Sequence, residues 1–461
     1  MSTSTDAGAA SGARDVLLSG WGRTAPSRAE LVEPGSREAL AEALAGAGPR
    51  GVLARGLGRS YGDAAQNAGG RVVAMGGLAE LREIDTGRGV VTVDAGMSIH
   101  DLTRELLPEG LFVPVSPGTA HVTVGGAIAA DVHAKNHHRD GSFCDHVLAF
   151  ELLTPSGDLV TVTPTDEPDL FAATAGGMGL TGVVLSATLR LLRVESAYMV
   201  VDRERAHDLD DVMGRMAERD HEYRYSVAWI DCLARRGSLG RSVLIRGDHA
   251  PAELLRNGRR DSALAPPGGV RLAAPPWTPP GLLRRSTVRV FNEVYYRAAP
   301  EHEVGRLEHL SSFFYPLDSV RNWNRIYGPS GFLQYQLVVP YGREDALRGA
   351  LERLSGAGAP SFLAVLKRFG PQRGLMSFPI EGWTLALDVP AALPGLSALL
   401  DGLDELVAGA GGRVYLAKDS RLRPDMLAAM YPRLGEWRAV RERVDPAGVM
   451  RSDLARRLDL T

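Results

Sequence analysis

The sequence predicts an α+β protein of two domains, and three features carry that expectation. At 461 residues the chain is too long for one ordinary core. Up to about residue 195 its strands and helices do not alternate as βαβ units, which argues against a doubly wound parallel sheet. Beyond about residue 330 they do alternate, which suggests a second sheet covered by helices.

The individual elements follow from local patterning. Residues 1–14, MSTSTDAGAASGAR, carry neither the basic nor the apolar stretch of a signal peptide and read as a disordered tail. Ser36 to Ala47 (SREALAEALAGA) places apolar residues at helical spacing behind a Ser cap. β-Branched runs predict strands at Gly51 to Ala54, Arg71 to Met75 and Gly89 to Ala95. Ser98 to Leu107 reads as a helix and Phe112 to Pro114 as a short extended piece. Strands are expected at Val147 to Thr154 and Leu159 to Val162 around a Pro-Ser-Gly-Asp turn, then a helix at Asp169 to Ala175 and a strand at Gly182 to Arg193. A helix at Leu209 to Arg219 and a strand at Arg224 to Ile230 come next. The Pro-, Gly- and Arg-rich stretch from His249 to Arg285 is long for a loop inside a compact domain and reads as a mobile or partly disordered flap. Strands at Gly331 to Val339, Ser361 to Phe369 and Trp383 to Val389 then alternate with helices at Glu344 to Ser355 and Leu393 to Ala410.

Composition excludes several function classes. A hydrophobic fraction of 44%, a charged fraction of 23% and a net charge of −3 describe a soluble globular chain and give no sign of nucleic-acid binding. The Arg-rich pieces at Arg256 to Arg260 and Arg284 to Arg289 read either as solvated loops or as contacts to an anionic surface. Two cysteines, Cys144 and Cys232, supply neither a disulfide framework nor a thiolate metal site. No apolar run approaches the roughly 20 residues of a membrane span, so membrane contact is expected to be peripheral, in a cytoplasmic or membrane-peripheral protein.

Chemistry is expected around Pro117 to His138, PGTAHVTVGGAIAADVHAKNHH, where a glycine turn precedes His133, Lys135, His137 and His138. The run Gly177-x-Gly179-x-x-Gly182 matches the dinucleotide fingerprint in letters only. That motif needs a strand before it and a helix after it, and here the order is reversed. The loop from Gly56 to Gly62 runs strand to strand and reads as an anion-holding nest or an ordinary turn. Together, three glycine loops in the first 185 residues without a metal motif suggest a large phosphate-containing cofactor. The three histidines are open to a metal, a structural or a cofactor-side role, although no carboxylate is placed as in HExxH.

Seven blocks then become recognisable: ARGLGRSYGD from Ala54, the Pro117 to His138 stretch, GGMGLTG from Gly176, NWNRIYGPSGFLQYQ from Asn322, LKRFGP from Leu366, SFPIEGW from Ser377 and YLAKDSR from Tyr415. From about Leu18 to the C-terminus the chain resembles the vanillyl-alcohol-oxidase-like flavoproteins with a PCMH-type FAD domain. Within them it is similar to the branch that forms the FAD half of polyprenylphosphoryl-ribose 2′-epimerases. The resemblance implies a two-domain fold: an FAD domain over 15–195, a substrate domain over 196–412 built on an antiparallel sheet with helices, its flap at about 249–285, and a segment 413–461 returning to the FAD domain.

It also implies a site. FAD, bound non-covalently because the first loop reads Arg59-Ser60 and holds no histidine, would contact Leu53, Ala54, Arg55, Gly56, Leu57, Gly58, Arg59, Ser60, Tyr61, Gly62 and Asp63. Gly118, Thr123, Val124, Gly125, Gly126, Ala130, Asp131, Val132, His133, Val184 and Tyr415 complete the cofactor set. Lys418 is expected as cation or proton acceptor, with Tyr61 and His133 beside it; otherwise Lys418 is a surface lysine pairing with Asp419. Lys135, Gln334, Gln336, Lys367, Phe369, Thr384, Phe314 and Trp229 are expected around the substrate. The reaction implied is hydride removal from C2′ of a lipid-linked phosphoribose to give the 2′-keto sugar, with an NADH-dependent keto-reductase as partner completing a ribose-to-arabinose epimerisation.

The chain also departs from the pattern. The resemblance implies that a mycobacterial member of that branch carries asparagine and, two residues on, a cysteine attacked by nitroaromatic inhibitors; here the residues are Thr384 and Ala386, and Phe314 stands where that member has tyrosine. These changes leave open an oxidase that releases hydrogen peroxide from another sugar, an alditol or a ribosyl intermediate. A flavin-binding scaffold without turnover is a further alternative.

Overall fold

The computed structural model describes residues 11–256, 260, 262–266, 268, 272–275, 283–372 and 374–461. Three sheets organise it. The first has four strands in the order Ser11–Leu18, Ser27–Glu33, Arg71–Ala74, Val52–Arg55, with an antiparallel outer pair and parallel pairs beyond. The expected N-terminal tail therefore gives way to a strand at Ser11, because ladder pairing with Ser27–Glu33 outweighs a polar, Gly-containing sequence. The second sheet is antiparallel, in the order Leu81–Asp85, Val90–Asp94, Val183–Arg190, Val147–Leu153, Leu159–Val162. Helix Pro168–Thr174 precedes strand Val183–Arg190, so the GGMGLTG loop runs from helix to strand and offers no dinucleotide turn.

The third sheet is antiparallel with eight strands, in the order His302–His309, Tyr198–Ala206, Ser242–His249, Tyr225–Ile230, Ala364–Phe369, Gly382–Pro390, Phe332–Pro340, Arg413–Val414. Helices Glu344–Ala357 and Leu396–Gly409 pack on it, and their buried Leu347, Leu351, Leu400 and Leu403 join the main core. The chain then returns to the first sheet. Met450 bridges Val52, and Arg457 of the last helix, Asp453–Arg457, makes two 2.8 Å hydrogen bonds to the Asp63 carboxylate.

Two further expectations need correction. Val124–Ala129 is a short helix and not a glycine turn: the Thr123 hydroxyl caps it by accepting from the Gly126 N–H at 3.1 Å. The stretch from His249 to Arg285 is not one flap. His249 ends a strand, Leu272–Ala273 pairs in parallel with Val320–Arg321, and Arg285 begins a 14-residue helix, Arg285–Ala298. Positions 257–259, 261, 267, 269–271 and 276–282 of that stretch lie outside the described residues.

Candidate active site

A single face of the eight-stranded sheet collects most of the expected substrate residues. Period-two alternation puts Gln334 and Gln336 on the same side of their strand, and the register sets Gln336 opposite Ala386 and Gln334 opposite Asp388. Ala386 is in turn opposite Val365, which is opposite Trp229. A cavity of about 420 Å3 lies over this face. Ala54, the loop from Gly56 to Tyr61, and Thr123, Gly125 and Gly126 of the short helix form its other wall. Its size is that of a small-molecule site.

The distant parts of the chain meet at Tyr61. Its N–H donates to the Ala417 carbonyl at 2.9 Å, which ties the first glycine loop to the segment bearing Lys418. Lys418 Nζ lies 3.9 Å from the Tyr61 ring centre, a cation–π contact. Gly62 is required here because a Cβ would overlap the Asp419 carbonyl. Asp419 does not pair with Lys418: its carboxylate accepts from the Arg421 and Leu422 N–H groups at 2.9 Å and meets Arg457 at 2.9 Å.

His133 stands across the cavity. Gln336 Nε2 donates to His133 Nε2 at 2.8 Å, which places the proton of the neutral ring on Nδ1. That Nδ1 is buried with no hydrogen-bond partner among the described residues, a donor awaiting an acceptor. Burial, reinforced by the charge of Lys367, holds the ring well below the usual histidine range, so it stays neutral. His137 and His138 do other work. His137 accepts from the Gly370 N–H at 3.1 Å and bonds Ser142, while His138 contacts the carbonyls of Asp220 and Tyr223. No group of histidine, cysteine or carboxylate side chains among the described residues is placed to hold a metal.

The charges around the cavity are mostly positive. Burial and the charge of Lys367 push Lys135 down to about 7, and burial alone pushes Lys367 to about 8. Burial also lowers Lys418, while the nearby Asp388 carboxylate pulls it back up. Asp388 itself is raised by burial; it accepts from Gln334 Nε2 at 2.5 Å and from the Tyr327 hydroxyl at 3.1 Å. Tyr61 is raised well above the ordinary phenol range by burial and by Asp388, so it remains a donor. A bound anion would relieve this crowd of ammonium groups.

Not every expected residue lines the cavity. Leu53 and Val124 are core, and Arg55 donates to the carbonyls of Ser19 and Ala65, bracing the glycine loop from behind. Asp63 is held by Arg457. Asp131 is bonded by the Cys144 N–H at 3.1 Å, by the Ser377 hydroxyl at 2.5 Å and by Gln372, so its carboxylate faces away from the ligand space. Phe369 packs behind His133 at 4.8 Å between ring centres. Thr384 lies beside Gln336: its hydroxyl accepts from Gln336 Nε2 at 3.2 Å and donates its proton to the Leu337 carbonyl at 2.8 Å, and the side chain is fully buried outside the cavity lining. Lys135, Lys367, Phe314, Trp229, Gly118, Ala130, Val132, Val184 and Tyr415 do line the cavity, and Trp229 Nε1 is satisfied by the Phe362 carbonyl at 3.0 Å. Asp388 and Tyr327 were not anticipated. The available signal was a lone carboxylate in an apolar strand, LALDVP, which demands a partner once buried.

Known proteins match this architecture. A family model described as FAD binding domain matches residues 29–163, and one described as D-arabinono-1,4-lactone oxidase matches residues 394–458. Decaprenylphosphoryl-beta-D-ribose oxidase of Mycolicibacterium smegmatis is 43% identical over 449 residues, covering 96% of this chain and 97% of its own. The chain belongs to the decaprenylphosphoryl-β-D-ribose oxidase family. It is an FAD-dependent oxidoreductase. An uncharacterised Streptomyces coelicolor protein from the mprA 5′ region is 46% identical over 79% of this chain and all of its own length. L-gulonolactone oxidase of Bos taurus is 30% identical over 39% of this chain and 41% of its own.

The site fits the cofactor of this oxidase family. The backbone of the first glycine loop and the small residues Ala54, Gly125, Gly126, Ala129 and Ala130 leave room beside it, and the orphan His133 Nδ1–H and the lysines match an electron-rich, anionic guest. No helix among the described residues is long and apolar enough to cross a membrane.

Proposed function

We propose that this oxidase-family member oxidises the C2′ hydroxyl of a polyprenylphosphoryl-β-D-ribofuranose to the 2′-keto sugar, the first half of a ribose-to-arabinose epimerisation. The observation that carries the proposal is the placement of Lys418 against Tyr61 and near Asp388, in the cavity that also holds His133 and Gln336. Bound FAD supplies the hydride acceptor. Among Lys418, His133 and Tyr61, only the lysine has a proton affinity brought toward neutral pH, since the imidazole is held neutral and the phenol protonated. Lys418 Nζ therefore takes the hydroxyl proton as the C2′ hydrogen leaves. Gln334, fixed by Asp388, and Gln336, fixed by Thr384, present amide groups to the sugar, while Lys135 and Lys367 carry positive charge for the phosphate. FAD is held by residues of 15–195 and 413–461 without a covalent bond, and an NADH-dependent keto-reductase consumes the product.

The test is anaerobic bleaching of the flavin. Polyprenylphosphoryl ribose reduces it and a free alditol does not; the reverse order would overturn the reading. The lactone-oxidase match over residues 394–458 favours a second reading, an oxidase acting on a soluble sugar or alditol with release of hydrogen peroxide. Peroxide formation in air with such a substrate would establish it.

A further inference from the structure

Helix Arg285–Ala298 packs on the body through one narrow face and leaves an apolar stripe outside. Val288 and Asn292 face inward and are buried, the amide of Asn292 donating to Asp231 at 2.7 Å. Round the helix from them, Thr287, Val290, Phe291, Val294 and Ala298 follow the i, i+3, i+4, i+7, i+11 spacing of a second helical face. Val290 is 63% exposed, Val294 61% and Phe291 45%, so this stripe points to solvent over a helix about 21 Å long.

The face is continuous with the cavity mouth. Tyr295, 37% exposed, lines the cavity from the same helix, and Phe291 packs edge-on against Phe362 at 5.8 Å. Phe362 belongs to the cluster around Trp323, which also takes in Leu317, Leu283 and Val320, and Leu272, 68% exposed, pairs with Val320. The unpaired charge on this helix is positive. Arg284, Arg285 and Arg289 are exposed and make no ion pair among the described residues, whereas Arg297 is paired with Glu293. Unpaired arginines on the same helix as an exposed apolar stripe match the two chemical layers of an anionic bilayer surface, acyl chain and phosphate headgroup.

We propose that the outer face of helix Arg285–Ala298 seats the enzyme on an anionic lipid bilayer, with the cavity mouth against the membrane. Phe291, Val290 and Val294 enter the headgroup boundary and the arginines meet lipid phosphates. A lipid-linked sugar then reaches the cavity without its tail crossing water. This last consequence rests on the proposed substrate; the docking itself does not.

Flotation of the FAD-loaded enzyme with phosphatidylcholine vesicles, with and without phosphatidylglycerol, tests it. The enzyme is expected to float with the anionic vesicles and to lose at least about tenfold in binding in Val290→Ser/Val294→Ser and in Arg284→Gln/Arg285→Gln/Arg289→Gln, the arginine part vanishing at high salt. Flavin absorbance and KM for a short-chain soluble phosphoribose stay unchanged in both variants, while KM for vesicle-borne long-chain substrate rises. Absent binding, equal binding by the variants, or a stable solution dimer that Val294→Ser dissociates would overturn the proposal. Failure of the short-chain compound to bleach the flavin would count against the substrate reading alone.

Discussion

Lys418 is the residue on which the chemistry turns. Lys418→Met is expected to lower the rate of anaerobic flavin reduction by at least about 100-fold while FAD remains bound. Lys418→Arg keeps the charge but holds its proton at all working pH values, so it is expected to be equally slow. The wild-type rate rises with pH through a transition below the ordinary lysine range, because burial favours the neutral amine. Asp388 opposes that shift, so Asp388→Asn moves the transition to lower pH; an unmoved profile would deny Asp388 its influence. Ala386 makes its own prediction. It lines the cavity where the family resemblance implies a reactive cysteine, and Cys144 and Cys232 are buried away from it with thiols pushed up by burial. Turnover with a nitroaromatic inhibitor should leave the protein mass unchanged, and Ala386→Cys should add one adduct.

At the scale of elements, the C-terminal helix Asp453–Arg457 clamps two loops that are far apart in sequence. Arg457 joins Asp63, just after the first glycine loop, to Asp419, next to Lys418. These side chains are mostly buried, so Arg457→Met leaves two carboxylates facing each other and is expected to cost about 3 kcal/mol. The melting temperature should fall and FAD should be released more readily; an unchanged melting curve would show that the clamp is dispensable. Elements with strong local periodicity were legible in the sequence: Leu209–Arg219 forms over the expected residues, and Ser36 and Ser98 cap the helices they precede. Strands Tyr198–Ala206, Ser242–His249 and His302–His309 were not, because they are rich in charged residues, four of them consecutive at Asp202 to Arg205. Those charges are satisfied only across strands, as in Arg203 to Glu308 at 2.6 Å. The short helix Val124–Ala129 was hidden by its two glycines, of which Gly125 packs tightly on Ala95, where a Cβ would lie 3.1 Å from the Ala95 Cβ.

Across the whole molecule, the cavity gathers residues from the start, middle and end of the chain, and its identity was legible mainly because the glycine loops and YLAKDSR are contiguous in sequence. Residues that act from behind, such as Thr384 under Gln336 and Asp388 under Gln334, depend on sheet register and emerge only from the fold. The crowded lysines also make a global prediction. Lys135 and Lys367 are held near 7 and 8 when folded, whereas an unfolded lysine titrates near 10.4. Between about pH 7 and about pH 10 these lysines therefore bind more protons in the unfolded chain, and their contribution to the stability of the FAD-free protein rises with pH. A bound anion restores the charged forms and flattens that slope, which thermal unfolding with and without inorganic phosphate will show.

The most direct measurement is stopped-flow reduction of the enzyme-bound flavin by polyprenylphosphoryl ribose without oxygen. Bleaching in the wild type that is nearly abolished in Lys418→Met, with the flavin still bound, is the predicted result. A flavin that stays oxidised with this substrate, or a Lys418→Met variant that bleaches at the wild-type rate, would contradict the central claim.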